Sequence, residues 1–386
     1  MLPSRAWWRL ATLAAVAAWP LVAWAEALPR LPDELPPELP GPALQARPNV
    51  AGAPFVRYSP ETAWGFGAAG LAWFHADPVA RASGRATTVG AAFQRTSRHQ
   101  TVAAGLWDAY LAEGRWRSSG SIFAERWPYD FWGAGAVTRP DGEDEDYTQR
   151  SFKLETGLER RVLDAGAGGG LWLGGRARWR RDQISDALPG GLVDRCAVAG
   201  CRGGRVAALQ AVVAWDTRDR VCAPGRGLLL TARAGGAAAA LGSQLSFAEL
   251  ELDARGWVPL PWRRAVASAQ ARLHSTSGEV PFYMLPTFGG DRSLRGVVEG
   301  RYRDRTSLLL QGELAVPVAW RFGVEVFGGV GGVAADPAGL SLRGLVPAGG
   351  AGLRYTVDPA DGVIVRLDHG VARGSSQWYL SIGQAI

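Results

Sequence analysis

The chain has 386 residues, enough for two ordinary domains or one large β-structure, and it holds 17 tryptophans, 51 glycines and only 2 methionines. Its net charge of +6 comes almost entirely from arginine and is interleaved with acidic residues, with no basic block. That distribution argues against nucleic acid as a partner.

The chain opens with MLPSRAWWRL, which carries Arg5 and Arg9, and continues through the apolar LATLAAVAAWPLVAWA to a small-x-small site at Ala23-Trp24-Ala25. This pattern predicts a secretory signal peptide over 1–25. The apolar run is short and broken by Pro20, which disfavours a permanent membrane anchor. The proline-rich, aperiodic stretch that follows predicts an extended, solvated periplasmic tail over 26–53, with no folded domain ahead of the first strand.

From Phe55 onward one pattern recurs: segments of roughly ten residues that alternate apolar with polar or small residues, separated by turn signals. In TTVGAAFQRT, Val89, Ala91 and Phe93 oppose Thr88, Gly90, Ala92 and Gln94. In SFKLETGLERRV, Phe152, Leu154 and Leu158 oppose Lys153, Glu155 and Glu159. In SFAELELDARGWV, Phe247, Leu250 and Leu252 run beside Glu249, Glu251 and Asp253. A soluble sandwich hides the apolar face, whereas a membrane barrel turns it to lipid and keeps a wet lumen. Three features favour the barrel. The signal peptide exports the chain, the segments suit tilted crossings, and Trp64, Trp107, Trp116, Trp215, Trp257, Trp320 and Trp378 sit near segment ends as interfacial girdles require. The reading is therefore an all-β, transmembrane antiparallel β-barrel over 54–386, with about sixteen strands. Long connections over 127–150, 184–204 and 277–304 fall after odd strands and short ones after even strands, as in barrels with long outer loops and short periplasmic turns.

Few residues invite chemistry. In an exported chain Cys196 and Cys201 can close a small disulfide loop, leaving Cys222 as a free thiol; the spacing fits no zinc pattern. The run RPDGEDEDYTQR, with Asp141, Glu143, Asp144, Glu145 and Asp146, lacks calcium-loop spacing and reads as a solvated outer loop. Of the histidines His75, His99, His274 and His369, only His274 adjoins serine, and strand neighbours point to opposite faces, so His274 and Ser275 make no hydrolase pair. The glycine patches lack the lysine and helix of a phosphate loop and mark close packing or bulges.

The longest specific signal is FGGDRSLRGVVEGRYRDRTSLLLQGELAVPV, from Phe288 to Val318, between the eleventh and twelfth strands. Its Gly289-Gly290 pair and its Leu294-Arg295-Gly296 tip resemble the loop motif of the BamA/TamA superfamily of outer-membrane barrels, the bacterial surface-antigen type. GELAVP, VFGGVG and VIVRLDHG resemble that family's last strands, and YSPETAWGFGAAG and ERWPYDFWGAG resemble its short members without periplasmic POTRA domains. The resemblance implies a loop, with Gly289, Gly290, Arg292, Arg295 and Gly296, that folds into the lumen so that its arginine meets acidic wall residues. Alternation places Gln311, Glu313, Glu325, Arg366 and Asp368 on the inner face, so Glu313, Glu325 and Asp368 are the expected partners. Gly329 stands where the family has an aspartate, and Ile386 where it often ends in an aromatic. The implied function is insertion or translocation of proteins or lipid-linked clients at the Gram-negative outer membrane. The implied chain is a monomer with no enzymatic step, cofactor or metal, whose partners are outer-membrane lipid, client outer-membrane proteins and a periplasmic protein. A weak seam between the first and last strands belongs to the same implication. The alternatives are a passive or structural barrel and, less favoured, a barrel lipid hydrolase.

Overall fold

The computed structural model describes residues 49–59, 63–74, 87–97, 99–135, 144–166, 169–220, 223–262, 264–358, 363–382 and 384–386. The signal peptide, nearly all of the tail, His75, Asp141, Glu143 and Cys222 lie outside them. The strands in chain order are β1 (Asn49–Ser59), β2 (Ala63–Phe74), β3 (Thr87–Thr96), β4 (Thr101–Leu111), β5 (Trp116–Phe131) and β6 (Glu145–Asp164). Next come β7 (Gly170–Ser185), β8 (Gly203–Asp216), β9 (Gly227–Ala237), β10 (Phe247–Pro259) and β11 (Val266–Gly278). Two short strands, β12 (Thr287–Phe288) and β13 (Tyr302–Arg303), pair with each other inside the following loop. The wall resumes with β14 (Thr306–Ala319), β15 (Phe322–Ala334), β16 (Val346–Asp358), β17 (Val363–Ala372) and β18 (Ser375–Ile382).

The wall is one 16-stranded antiparallel sheet in sequence order, β1 to β11 and then β14 to β18. Purely sequential antiparallel pairing makes an up-and-down barrel, which needs no crossover connection. Period-two alternation sorts the faces. Phe93, Phe152, Leu158, Leu173, Leu230, Leu252 and Val326 are exposed on the outside, whereas Gln94, Glu159, Asp182, Gln210, Glu249 and Gln270 are buried inside. Ion pairs line the interior, among them Arg117 with Asp108, Arg176 with Glu155, Arg233 with Glu251 and Arg255 with Asp253. An apolar exterior around a polar, charge-paired interior is the arrangement of a transmembrane barrel. Among the described residues no helix is long and apolar enough to cross a membrane.

Four details differ from the sequence reading. The first strand begins at Asn49 rather than near Phe55, so part of the expected tail is wall. The long third outer loop is shorter than expected, because β5 runs on to Phe131 and β6 starts at Glu145. Glu145 is therefore not part of a solvated acidic loop: it is buried, and its carboxylate accepts from the backbone N–H groups of Leu192 and Val193 at 2.8 and 3.1 Å. Trp257 is no girdle residue. It shares the inner face of β10 with Glu249 and Asp253 and is buried 6.0 Å from the Arg218 guanidinium. Phe247 also faces inward, in a cluster with Val206, Ala208, Ala237 and Val280.

At the outer end the long loops meet. Phe131, Tyr147, Val193 and Phe282 form a buried cluster contributed by β5, β6 and the loops after β7 and β11. Phe282 N–H donates to Ala199 O at 2.9 Å, and Cys196 and Cys201 are joined in a disulfide with Cα atoms 5.1 Å apart. The apolar cluster gives the outer mouth a cap held from several strands at once.

Candidate functional site

The β11–β14 loop turns inward and carries Arg295 to the inner faces of β14, β15 and β17. Its neck is closed by Gly290 N–H donating to Val297 O at 3.0 Å. Its tip is a four-residue turn, Leu294 to Val297, closed by Val297 N–H donating to Leu294 O at 3.2 Å. Gly296 is the third residue of this turn at φ 109°, the position at which a type II turn requires positive φ. The turn thus accounts for the Arg–Gly order: glycine supplies the backbone reversal and leaves arginine at the apex. Leu294, Val297 and Phe288 pack with Leu309 and Val333 of the wall, and Phe288 stacks on Tyr302.

Arg295 is almost fully buried and meets three carboxylates. Nη1 donates to Glu325 Oε1 at 2.5 Å and to Asp368 Oδ2 at 2.8 Å, while Nη2 donates to Glu313 Oε2 at 2.5 Å. The guanidinium carbon lies 3.5 Å from the centre of the Phe327 ring, which adds a cation–π contact. Burial alone would lower the pKa of Arg295; the carboxylates of Glu313, Asp368 and Glu325 outweigh it and hold the group charged, above its usual range.

Two wall arginines complete the cluster. Arg354 of β16 pairs with Glu313 at 3.1 Å and with Glu325 at 3.3 Å. Arg366 of β17 pairs with Glu325 at 3.3 Å and with Asp368. Three guanidinium groups therefore face three carboxylates, and the buried network is neutral as a whole. Neutrality is what makes the burial tolerable, since an unpaired ion in such a site costs several kcal/mol.

The loop is held close to the wall by small residues. A Cβ at Gly370 would lie 2.6 Å from both Arg295 C and Gly296 N, so only glycine lets the tip lie against β17. Gly296 N–H donates to Tyr379 Oη of β18 at 3.0 Å, and Asp291 accepts from Ser381 Oγ at 3.0 Å, so the last strand also grips the loop. Gly329 faces Gln311 across the β14–β15 ladder, and a Cβ there would lie 2.3 Å from Leu310 O. The loop is served by Gln311 instead: its Oε1 accepts from Leu294 N–H at 2.9 Å, and its Nε2 donates to Arg292 O at 2.9 Å.

Arg295, Gly296, Glu313, Glu325 and Asp368 are thus in one contact network, with Gly289 and Gly290 at its neck. Arg292 contributes its carbonyl, and burial lowers the pKa of its side chain. The sequence reading missed Arg354, Phe327, Tyr379 and Ser381. The alternation of β16, whose Leu353 is exposed outside, would have turned Arg354 inward.

The remaining candidates stay apart. His274 bonds Glu249 at 2.8 Å in the lumen, while Ser275 bonds Thr306 on the opposite face. His369 and Ser376 meet at 2.8 Å on the outer face, a pair that sequence spacing hid. Among the described residues no carboxylate or amide side chain is bonded to the other His369 nitrogen, where a hydrolase triad has its orienting member. Asp130, Asp144 and Asp146 bring carboxylate oxygens within 4.8 Å of one another at the outer end.

Comparison with known proteins gives the same architecture. The fold is similar to that of BamA from Haemophilus ducreyi lacking POTRA domains 1–3, with a TM-score of 0.56 and 14% identity over 87% of this chain and 69% of that one. It is similar to CdiB from Escherichia coli, with a TM-score of 0.55 and 14% identity over 86% of this chain and 61% of that one. At such identities the likeness shows the fold alone. No curated protein sequence matches the chain. The family model described as the Omp85 superfamily domain matches residues 82–357, well over half of the chain and nearly all of the wall from β3 to β16, so the chain belongs to the Omp85 superfamily.

Proposed function

We propose that the protein is an outer-membrane barrel that inserts or translocates polypeptides or lipid-linked clients, with the β11–β14 loop bracing the lumen in its resting state. Membership of the Omp85 superfamily supports the general class. The observation that carries the reading is the Arg295 cluster: a loop arginine buried among three wall carboxylates and two wall arginines, a set that a passive pore does not need. The same loop is bonded to β18, the strand beside the proposed seam with β1, so movement of the loop and of the seam would be coupled. Export by the signal peptide expected at 1–25, a monomeric barrel, client outer-membrane proteins and a periplasmic partner belong to this proposal.

The test is depletion of the protein in its native cell, with quantitative proteomics of the outer membrane and of the surface and secreted fractions. A selective fall in one class of client, rescued by wild type but not by Arg295→Ala, is the expected result. Unchanged protein profiles together with reduced uptake of small solutes would replace the proposal with a passive channel.

A further inference from the structure

The outer wall carries a feature that the lumen and its loop do not use. At the outer ends of β3 to β7, one level of the sheet reads Arg95, Thr101, Arg126, Arg150 and Gln183, each directly opposite the next across its ladder. Arg181, opposite Phe152, sits diagonally beside Arg150. These side chains share the lipid-facing side with exposed Phe93 and Phe152, whereas the intervening Gln94, Glu125 and Ser151 point inward.

Arg95, Arg150 and Arg181 are exposed and Arg126 is half-buried, with its Nε buried and lacking a hydrogen-bond partner. None of the four has an ion pair among the described residues. The acids nearest along these strands give no relief: Glu125 is turned inward onto Lys153 at 2.7 Å. On the same outer face, Asp130 and Asp146 lie four residues further along β5 and β6, about 13 Å away at strand rise. Arg126 directly opposite Arg150 places like charges face to face, which destabilises a sheet unless something anionic lies between them. Arg117, Arg176, Arg233 and Arg255 in the lumen, by contrast, are each matched with a carboxylate.

Toward the membrane, apart from Arg181 of β7, the levels are apolar. Immediately below lie Phe93, Ala103, Ala124 and Phe152, in which the two alanines leave a recess between the phenylalanines. The next level is Ala91, Gly105, Ile122, Leu154 and Trp179, with Phe152 and Trp179 packed edge to face. A cavity of about 470 Å³ opens here, lined by Arg126, Arg150, Arg181 and Gln183 on one side and by Ala103, Ala124 and Phe152 on the other.

We propose that this arginine level binds the phosphate groups of a phosphorylated glycolipid of the outer leaflet, with an acyl chain over Ala103 and Ala124. Arginine forks match phosphate oxygens, and the transition from arginine to apolar side chains within one residue pair matches the boundary between headgroup and hydrocarbon. A free small anion would satisfy the arginines but would leave the apolar recess unused. The proposal rests on the outer-membrane placement given above and is independent of any translocation activity.

The test uses the purified full-length protein in detergent. It is mixed with bis-phosphorylated lipid A or with the same lipid freed of phosphate, and native mass spectrometry counts the lipids retained. Wild type is expected to retain the phosphorylated lipid, not the dephosphorylated one, and to keep it in excess inorganic phosphate. Arg126→Gln/Arg150→Gln, checked for folding by its heat-modifiable gel mobility, is expected to lower retention about tenfold or more. Should that double variant fail to fold, Arg150→Gln at its exposed position gives the reading, with a several-fold loss expected. Equal retention by the folded variant, equal retention of the dephosphorylated lipid, or full displacement by inorganic phosphate would each overturn the proposal. None of these readings depends on clients, so failure here and failure of the translocation reading are separate results.

Discussion

Arg295 is one cation shared by three carboxylates, and its substitution separates charge from shape. In Arg295→Ala the remaining Arg354 and Arg366 face Glu313, Glu325 and Asp368, which leaves one buried negative charge uncompensated. Breaking a buried ion pair from one side costs about 3–5 kcal/mol. A loss of that order in unfolding free energy is expected, measured from the heat-modifiable gel shift across a urea series. Arg295→Ala/Asp368→Asn restores neutrality and should lose less than the sum of the two single variants, because the residues form one network. Arg295→Lys keeps the charge but not the planar fork that reaches Glu313 and Glu325 at once, so it should fall between wild type and alanine. Additive losses in the double variant would show that the network does not act as a unit.

At the scale of elements, the loop, β17 and β18 form one contact. Gly370→Ala forces a Cβ to within 2.6 Å of the loop backbone, whereas Gly105→Ala on β4 meets nothing nearer than 3.9 Å. The first is expected to expel the loop tip and to make the β11–β14 connection cleavable by added protease in intact vesicles; the second should leave the protein resistant. Tyr379→Phe removes the acceptor of Gly296 N–H and should weaken the same contact by about 1–3 kcal/mol, the cost of a buried donor left unsatisfied. A protease-resistant Gly370→Ala would show that the tip is not held against β17.

Much of this was readable in the sequence because a strand alternates with period two. The sixteen segments follow from that period and the turn signals between them, and once the apolar face is turned to lipid the same period sends Glu313, Glu325 and Asp368 inward. What did not follow was which residues stand level across several strands. Tyr379 and Arg354 join the site through the β15–β16–β17–β18 registers, and no local pattern states those offsets. Trp257 misled because a tryptophan near a strand end has the composition of a girdle whichever face it takes. Glu145 misled because its acidic neighbours resemble a solvated run, while its own partners are backbone N–H groups from a loop nearly fifty residues on.

For the whole molecule, the lumen is restrained at two places of different chemistry. The apolar cap of Phe131, Tyr147, Val193 and Phe282 lies over the outer mouth, and the charged cluster around Arg295 braces the loop against the wall. Phe282 of the cap donates its N–H to Ala199 O inside the loop that the Cys196–Cys201 disulfide closes, so reduction acts on the cap, whereas Arg295→Ala acts on the brace. The two restraints share no residue, and either one alone should keep the lumen mostly closed. In planar bilayers the wild-type protein is therefore expected to show low, infrequent conductance, little changed by a reducing agent. Arg295→Ala should open more often, and reduction of that variant should raise its open fraction further, because both restraints are then weakened. Screening by salt should matter little for the brace, since its charges are buried. A steady large conductance in the wild type, unaltered by either treatment, would mean that the folded-in loop leaves an open pore beside it, and the passive-channel reading would then be the better one.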